Sequence, residues 1–186
     1  MSLITGIESF NKFTSLSPSA FALGLWIGLK LPDLDLLALP VLHHRSILTH
    51  SILIPWLLHR FLKNRISELG IAGLYVGIAV HLSADCLSSL VGFGMIWLPW
   101  PLKIPTGGAS PSWILVNTLL GIWFALKIAP NKRKLVIGMM LLVALAYAVL
   151  NEAAILPFVV FGALVLMVAL YQHYRKRKDM VTNKLE

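Results

Sequence analysis

Long apolar stretches separated by short polar turns run along most of this chain. Six of them predict helices, at residues 18–31, 48–62, 69–90, 112–129, 134–150 and 153–172. The turns carry the Pro, Gly, Asn and charged residues that end helices. The first two segments are short for a full crossing, so we expect them to be tilted, half-inserted or sheltered within the bundle. The pattern predicts an all-α fold, a polytopic transmembrane bundle of about six helices.

Composition supports a membrane protein built as a single unit. Charged residues make up 13% of the chain and hydrophobic residues 58%, whereas about a quarter of a soluble domain is charged. Because the loops are short, residues 1–186 are expected to form one integral membrane domain. Its expected parts are a metal-site half (18–105), a three-helix scaffold half (112–172) and a basic cytoplasmic tail (173–186). The single Cys86 excludes a disulfide within the chain and a multi-Cys zinc site, and no cleavable signal peptide is expected.

The positive charges predict an orientation. If the N-terminus is cytoplasmic, 13 of the 16 Lys and Arg residues lie inside, and only Lys30, Arg45 and Lys103 lie outside. This bias predicts a bacterial or archaeal cytoplasmic (inner) membrane protein with both termini in the cytoplasm. The net charge of +8 then favours anionic lipid headgroups at the inner loops over nucleic acid.

Polar side chains concentrate in three short segments that this orientation brings to the outer face. Carboxylates and imidazoles are costly in an apolar setting unless they are paired or bound to a cation. A mixture of the two suits one or two divalent ions, with Zn²⁺ preferred and Mn²⁺ or Mg²⁺ as alternatives. The predicted ligands are Asp33, Asp35, His44, His50, His81 and Asp85.

Spacing adds detail to two of these segments. His81 and Asp85 are four residues apart, so they share one helix face and can serve one metal or two adjacent metals. The alternative is that Asp85 hydrogen-bonds His81 or pairs with Arg45. Thr49 is the expected N-cap, which would place His50 in the first helical turn, where the helix dipole favours a neutral ring.

Three residues are candidates for catalysis. Arg45 suits a phosphate or carboxylate group because its guanidinium is planar and always charged; the alternative is a salt bridge to a neighbouring Asp. His43 is a candidate ligand or acid/base, and Asp33 is a candidate base or bridging ligand. His59 and His173 lie beside basic residues and are interpreted as interfacial.

Other residues suggest packing roles. Gly24 with Gly28, and Gly73 with Gly77, are spaced for close helix packing. The residues Trp97, Trp100 and Trp113 favour an interfacial aromatic belt, with an entry for an acyl chain as the alternative.

The segments GLKLPDLD, HRSILTHS, HLSADCLS and GFGMIWLPWP resemble the YdjM-like family of inner-membrane metal-dependent hydrolases. The resemblance covers about residues 28–105. Ser46 stands where the family often has Gly, and Leu36 where a polar residue or His often follows the Asp turn. The matching positions are Pro32, Asp33, Asp35, His44, Arg45, Thr49, His50, Ser51, His81, Asp85, Gly92, Gly94 and Pro99.

The resemblance implies a hydrolase. The family is remotely similar to zinc-dependent phospholipase C, which implies a helical fold with clustered zinc ions that cleave phosphoesters. We therefore expect hydrolysis of a lipid or lipid-linked phosphate at the outer face. The alternatives are a metal or proton carrier or channel, and a scaffold with a structural metal site.

Overall fold

The computed structural model describes residues 18–62, 65–87 and 94–182. Apart from two isolated bridges, the regular structure in these ranges is helical. The α-helices are α1 (Pro18–Lys30), α2 (Leu53–Leu62), α3 (Glu68–Leu87), α4 (Ser110–Ile128), α5 (Arg133–Leu150) and α6 (Leu156–Thr182). Short 3₁₀ helices span Pro32–Ala38, Gly107–Ala109 and Pro130–Lys132. The prediction of an all-α bundle is confirmed.

Within the part of the chain that the structure describes, four helical segments are long and apolar enough to cross a membrane. They are Glu68–Leu87, Gly107–Ile128, Pro130–Leu150 and Leu156–Met180. Each has at least 20 residues, which at about 1.5 Å per residue matches a hydrocarbon core of about 30 Å. These are the lengths and compositions of an integral membrane protein. With 13 and 10 residues, α1 and α2 are shorter, and a six-span bundle stays a prediction.

The central element of the bundle is α3. Every residue from Leu69 to Ala84 is buried, as expected of a helix that is apolar on all sides. A methyl group at Gly24 or Gly28 of α1, or at Gly73 or Gly77 of α3, would collide with backbone atoms of the other helix. The predicted close packing is therefore confirmed. It brings the end of α1 against the second half of α3.

Two predicted boundaries were wrong. The second helix begins at Leu53 rather than residue 48, because the Thr49 hydroxyl donates to Asp35 and to the Ser46 carbonyl instead of capping a helix. The last helix continues to Thr182, so most of the predicted tail is helical; its Lys and Arg residues are good helix formers. Residues 88–90 of the predicted third helix, Gly92, and residues 183–186 lie outside the described ranges.

The bundle has two chemically different ends. Helices α3 and α4 run antiparallel, since Gly94 packs between Ile114 and the Asp85 carbonyl while Gly121 packs on the middle of α3. At the opposite end, Arg133 donates to the Gln172 side chain at 2.7 Å, and Gln172 donates to the Trp123 carbonyl at 3.1 Å. We call this second end the basic end. It lies away from the Asp and His residues that end α3.

Candidate metal centre

Three side chains converge where α3 ends. His81 and Asp85 lie one turn apart on α3, and His50 reaches them from the turn that precedes α2. Asp85 Oδ2 lies 3.1 Å from His50 Nε2 and 3.3 Å from His81 Nε2. The three ligand atoms lie within 4.8 Å of one another. Two imidazoles and a carboxylate at this separation form a group that can hold one metal ion.

The opposite nitrogen of each ring is already engaged. His50 Nδ1 lies 3.4 Å from Asp35 Oδ2, and His81 Nδ1 lies 3.0 Å from the Leu29 carbonyl oxygen. An ionised carboxylate and a carbonyl oxygen only accept, so both Nδ1 atoms carry the proton. In the neutral tautomer that these contacts favour, Nε2 carries the lone pair, and in both rings this nitrogen faces Asp85. This is the tautomer that a metal ligand requires.

With neutral His rings, the centre therefore contains acceptors and no donor between them. His50 Nε2 and Asp85 Oδ2 are both buried, and neither has a hydrogen-bond partner among the described residues. Buried acceptors facing one another are unfavourable unless a cation lies between them. Burial lowers the pKa of His50, but the Asp35 and Asp85 carboxylates outweigh it and raise the pKa above its ordinary value. The two carboxylates thus favour a positive charge between His50 Nε2 and Asp85, which either a proton on Nε2 or a bound cation would supply.

A fourth candidate ligand atom, an oxygen of Asp33, lies at the edge of the group. Asp33 follows Pro32 in the 3₁₀ helix Pro32–Ala38, where Pro suits the first helical position. Its Oδ1 atom lies 3.7 Å from His81 Nε2, and its side chain is 38% exposed. The Asp33 side is therefore the open side of an otherwise buried centre.

Asp35 and His44 stand behind His50. Asp35 is fully buried, and its Oδ2 accepts from the Ser46 amide and the Thr49 hydroxyl, both at 3.0 Å. Its Oδ1 lies 3.2 Å from His44 Nδ1. Burial raises the pKa of Asp35, but hydrogen bonds from His50, Ser46 and His44 outweigh it and hold the pKa at about 2. The Asp35 carboxylate therefore orients the His50 ring from the Nδ1 side. It does not reach Nε2, the nitrogen that faces Asp85.

Arg45 places a positive charge beside the Asp85 carboxylate. It donates to Asp85 Oδ1 at 3.1 Å, so the salt bridge considered from the sequence is present. Its backbone has a positive φ of 61°, which is uncommon for a residue other than Gly. The Arg45 carbonyl accepts from the Trp97 amide at 3.0 Å. This contact ties the His/Arg turn to the segment around Trp97.

His43 lies against Trp97. Their rings stack with centroids 3.8 Å apart, and His43 Nδ1 lies 2.9 Å from the His44 carbonyl oxygen. These contacts hold the ring outside the group formed by His50, His81 and Asp85.

Three further contacts were not anticipated from the sequence. The Leu29 carbonyl and the Tyr147 hydroxyl both approach His81 Nδ1, at 3.0 and 3.2 Å. Trp113, interpreted as part of an aromatic belt, donates from Nε1 to the His50 carbonyl at 2.9 Å. In the sequence, the only feature that points to a role for Tyr147 is its hydroxyl group within an otherwise apolar helix.

No protein-family model, curated protein or solved structure matches this chain. The resemblance to the YdjM-like family stays a prediction. Function is therefore inferred from the geometry of the centre.

Proposed function

We propose that the chain binds one divalent metal ion through His50 Nε2, His81 Nε2 and Asp85 Oδ2, with Asp33 at the open side. The observation that supports this most directly is the convergence of the three atoms at 3.1 and 3.3 Å, with the other nitrogen of each ring occupied. Asp35 and His44 support His50 and are not ligands in this proposal.

Zn²⁺ is the preferred ion. Two imidazoles and a carboxylate match zinc sites in hydrolases, which keep a further position for water or substrate. Mn²⁺ or Mg²⁺ would gain more from a site richer in oxygen ligands. Coordination of the ion by Asp33 would add an oxygen ligand and shift the preference of the site toward Mn²⁺ or Mg²⁺.

The proposed reaction is hydrolysis of a phosphoester. A bound divalent ion supplies Lewis acidity and lowers the pKa of water at the centre. The Arg45 guanidinium, held beside Asp85, places positive charge next to the group where a phosphate would gain negative charge. Asp33 is exposed enough to accept a proton from water at the open side. His43 is not assigned a chemical step, because it is engaged with Trp97 and the His44 carbonyl.

The proposed substrate is a lipid or lipid-linked phosphate at the outer face of the cytoplasmic membrane. The centre lies at one end of helices that are long enough to cross a bilayer, and the Arg133–Gln172 contact lies at the other end. With the basic end in the cytoplasm, as the positive-inside bias favours, both termini are cytoplasmic. The headgroup region of the outer leaflet then adjoins Asp33. The motif resemblance to inner-membrane hydrolases agrees with this proposal, which includes a bundle of about six spans.

The test combines metal content with turnover. Purified protein and the variants His81→Ala and Asp85→Ala are compared by elemental analysis and by hydrolysis of a chromogenic phosphodiester and of phospholipid in mixed micelles. His173→Ala, in the exposed last part of α6, is the matched control. We expect about one metal per wild-type chain and per control chain, and loss of metal and turnover in both site variants.

Each other outcome of these measurements would reject a specific part of the proposal. Full metal occupancy in both site variants would refute the ligand assignment. Bound metal with no turnover of either substrate would reject the hydrolase in favour of a structural site. Metal flux across liposomes without turnover would favour a carrier.

A further inference from the structure

A second feature lies far from the metal centre, in a groove between α1, the end of α2 and the start of α3. Its volume is about 300 Å³. The residues that matter for its chemistry are Leu23, Ile27, Leu58, Ile71, Leu74 and Arg65. Apart from Arg65 and Ser67 the lining is apolar, and Arg65 carries a permanent positive charge.

The groove lies near the end of the bundle opposite to the metal centre. Arg65 precedes the first residue of α3, Glu68, and Asp85 lies near the end of that helix. At 1.5 Å per residue, Glu68 and Asp85 are separated by roughly 26 Å along the helix axis, close to the thickness of a hydrocarbon core. Arg65 therefore sits near one membrane boundary when the metal centre sits near the other.

The apolar part of the groove opens outward. Leu23 and Ile27 on α1 are 60% and 39% exposed, and both lie on a helix whose other face packs tightly on α3. The groove follows α1 from Ala20 to Ile27, about 10 Å along the axis. It can therefore hold part of an acyl chain along the seam between α1 and α3.

The charged end has the chemistry of a phosphate site. Arg65 is exposed, and no ion pair joins it to another residue in the described part of the chain. A guanidinium matches the planar, bidentate geometry of a phosphate better than an ammonium does. Anionic lipids are concentrated in the cytoplasmic leaflet, which the proposed orientation places at this end.

We propose that this groove binds one anionic phospholipid, whose phosphate is held by Arg65 and whose acyl chain lies along α1 and α3. The cation at one end and the apolar lining along the rest complement an amphipathic anion. The bound lipid covers the α1–α3 seam. It thereby stabilises the packing that carries Asp33 to the edge of the metal centre and Asp35 to its place behind His50, although the lipid site does not depend on metal binding.

Binding is measured by native mass spectrometry of the full chain in detergent, with phosphatidylglycerol and phosphatidylcholine of identical acyl chains. We expect the wild type to retain phosphatidylglycerol about fivefold more strongly, the effect of one Arg beside an anionic lipid. Arg65→Gln should lower phosphatidylglycerol binding to the phosphatidylcholine level. Arg60→Gln, another exposed Arg near the end of α2 but outside the groove, should behave as wild type.

A second pair of variants tests the apolar part. Leu23→Trp fills the groove and should weaken both lipids, while Leu115→Trp places the same bulk on an exposed position of α4 and should not. Equal binding of the two lipids by the wild type, or unchanged phosphatidylglycerol binding in Arg65→Gln, would overturn the proposal. A dimer mass that excludes lipid would show instead that a second copy of the chain covers the groove.

Discussion

Replacing Asp35 with Asn tests the layer behind the metal centre. Asp35 is fully buried, and four donors approach it: His44 Nδ1, the Ser46 amide, the Thr49 hydroxyl and His50 Nδ1. Asn has almost the same shape but carries no charge, and it offers one acceptor oxygen instead of two. At least one of these donors therefore loses its acceptor, and the His50 ring loses the anion that orients it.

The magnitude follows from these contacts. Removing a carboxylate that supports a ligating His typically costs about 10- to 100-fold in metal affinity. That range corresponds to roughly 1.4–2.8 kcal/mol. It agrees with the cost of about 1–3 kcal/mol for one buried donor left without an acceptor. We therefore expect Asp35→Asn to weaken metal binding within this range while the helical fold persists.

Competition between the protein and a chelator of known affinity measures the effect with Zn²⁺ and Co²⁺. Glu68→Gln, an exposed carboxylate at the far end of α3, is the matched control and should bind metal as the wild type does. Wild-type affinity in Asp35→Asn would refute the supporting role of Asp35. A loss as complete as that of Asp85→Ala would show that Asp35 is itself a ligand.

Two further predictions concern the packing of α1 on α3 and the contacts that support His81. Gly73→Ala places a methyl group against the Phe21 carbonyl; we expect a loss of about 1–3 kcal/mol, read as a lower thermal midpoint in detergent. Gly138→Ala, where a methyl group meets nothing within 4 Å, is the control, and equal midpoints for the two variants would contradict close α1–α3 packing. Tyr147→Phe removes a hydroxyl 3.2 Å from His81 Nδ1 but leaves the Leu29 carbonyl, so metal affinity should fall less than tenfold. A larger fall in the same chelator competition would make Tyr147 the main support of His81.

Much of the helical architecture was predictable because it depends on local patterns. Continuous apolar segments require their backbone groups to be satisfied within the segment, which favours helices in lipid. The Gly pairs of α1 and α3 were predictable for the same reason, since their spacing repeats along one helix face. The start of α2 was not, because the Thr49 hydroxyl bonds a carboxylate 14 residues earlier in the chain. Local capping preferences do not include such a partner.

The sequence by itself determined which side chains were candidates for the centre, because clustered carboxylates and imidazoles are costly among apolar residues. Only the tertiary structure decided which atom of each side chain faces which neighbour. Asp35 and Asp85 look alike in the sequence, yet one meets His50 at Nδ1 and the other at Nε2. The Leu29 carbonyl and Tyr147 reach His81 from 52 and 66 residues away. Such long-range contacts arise from helix packing, and no periodicity in the chain encodes them.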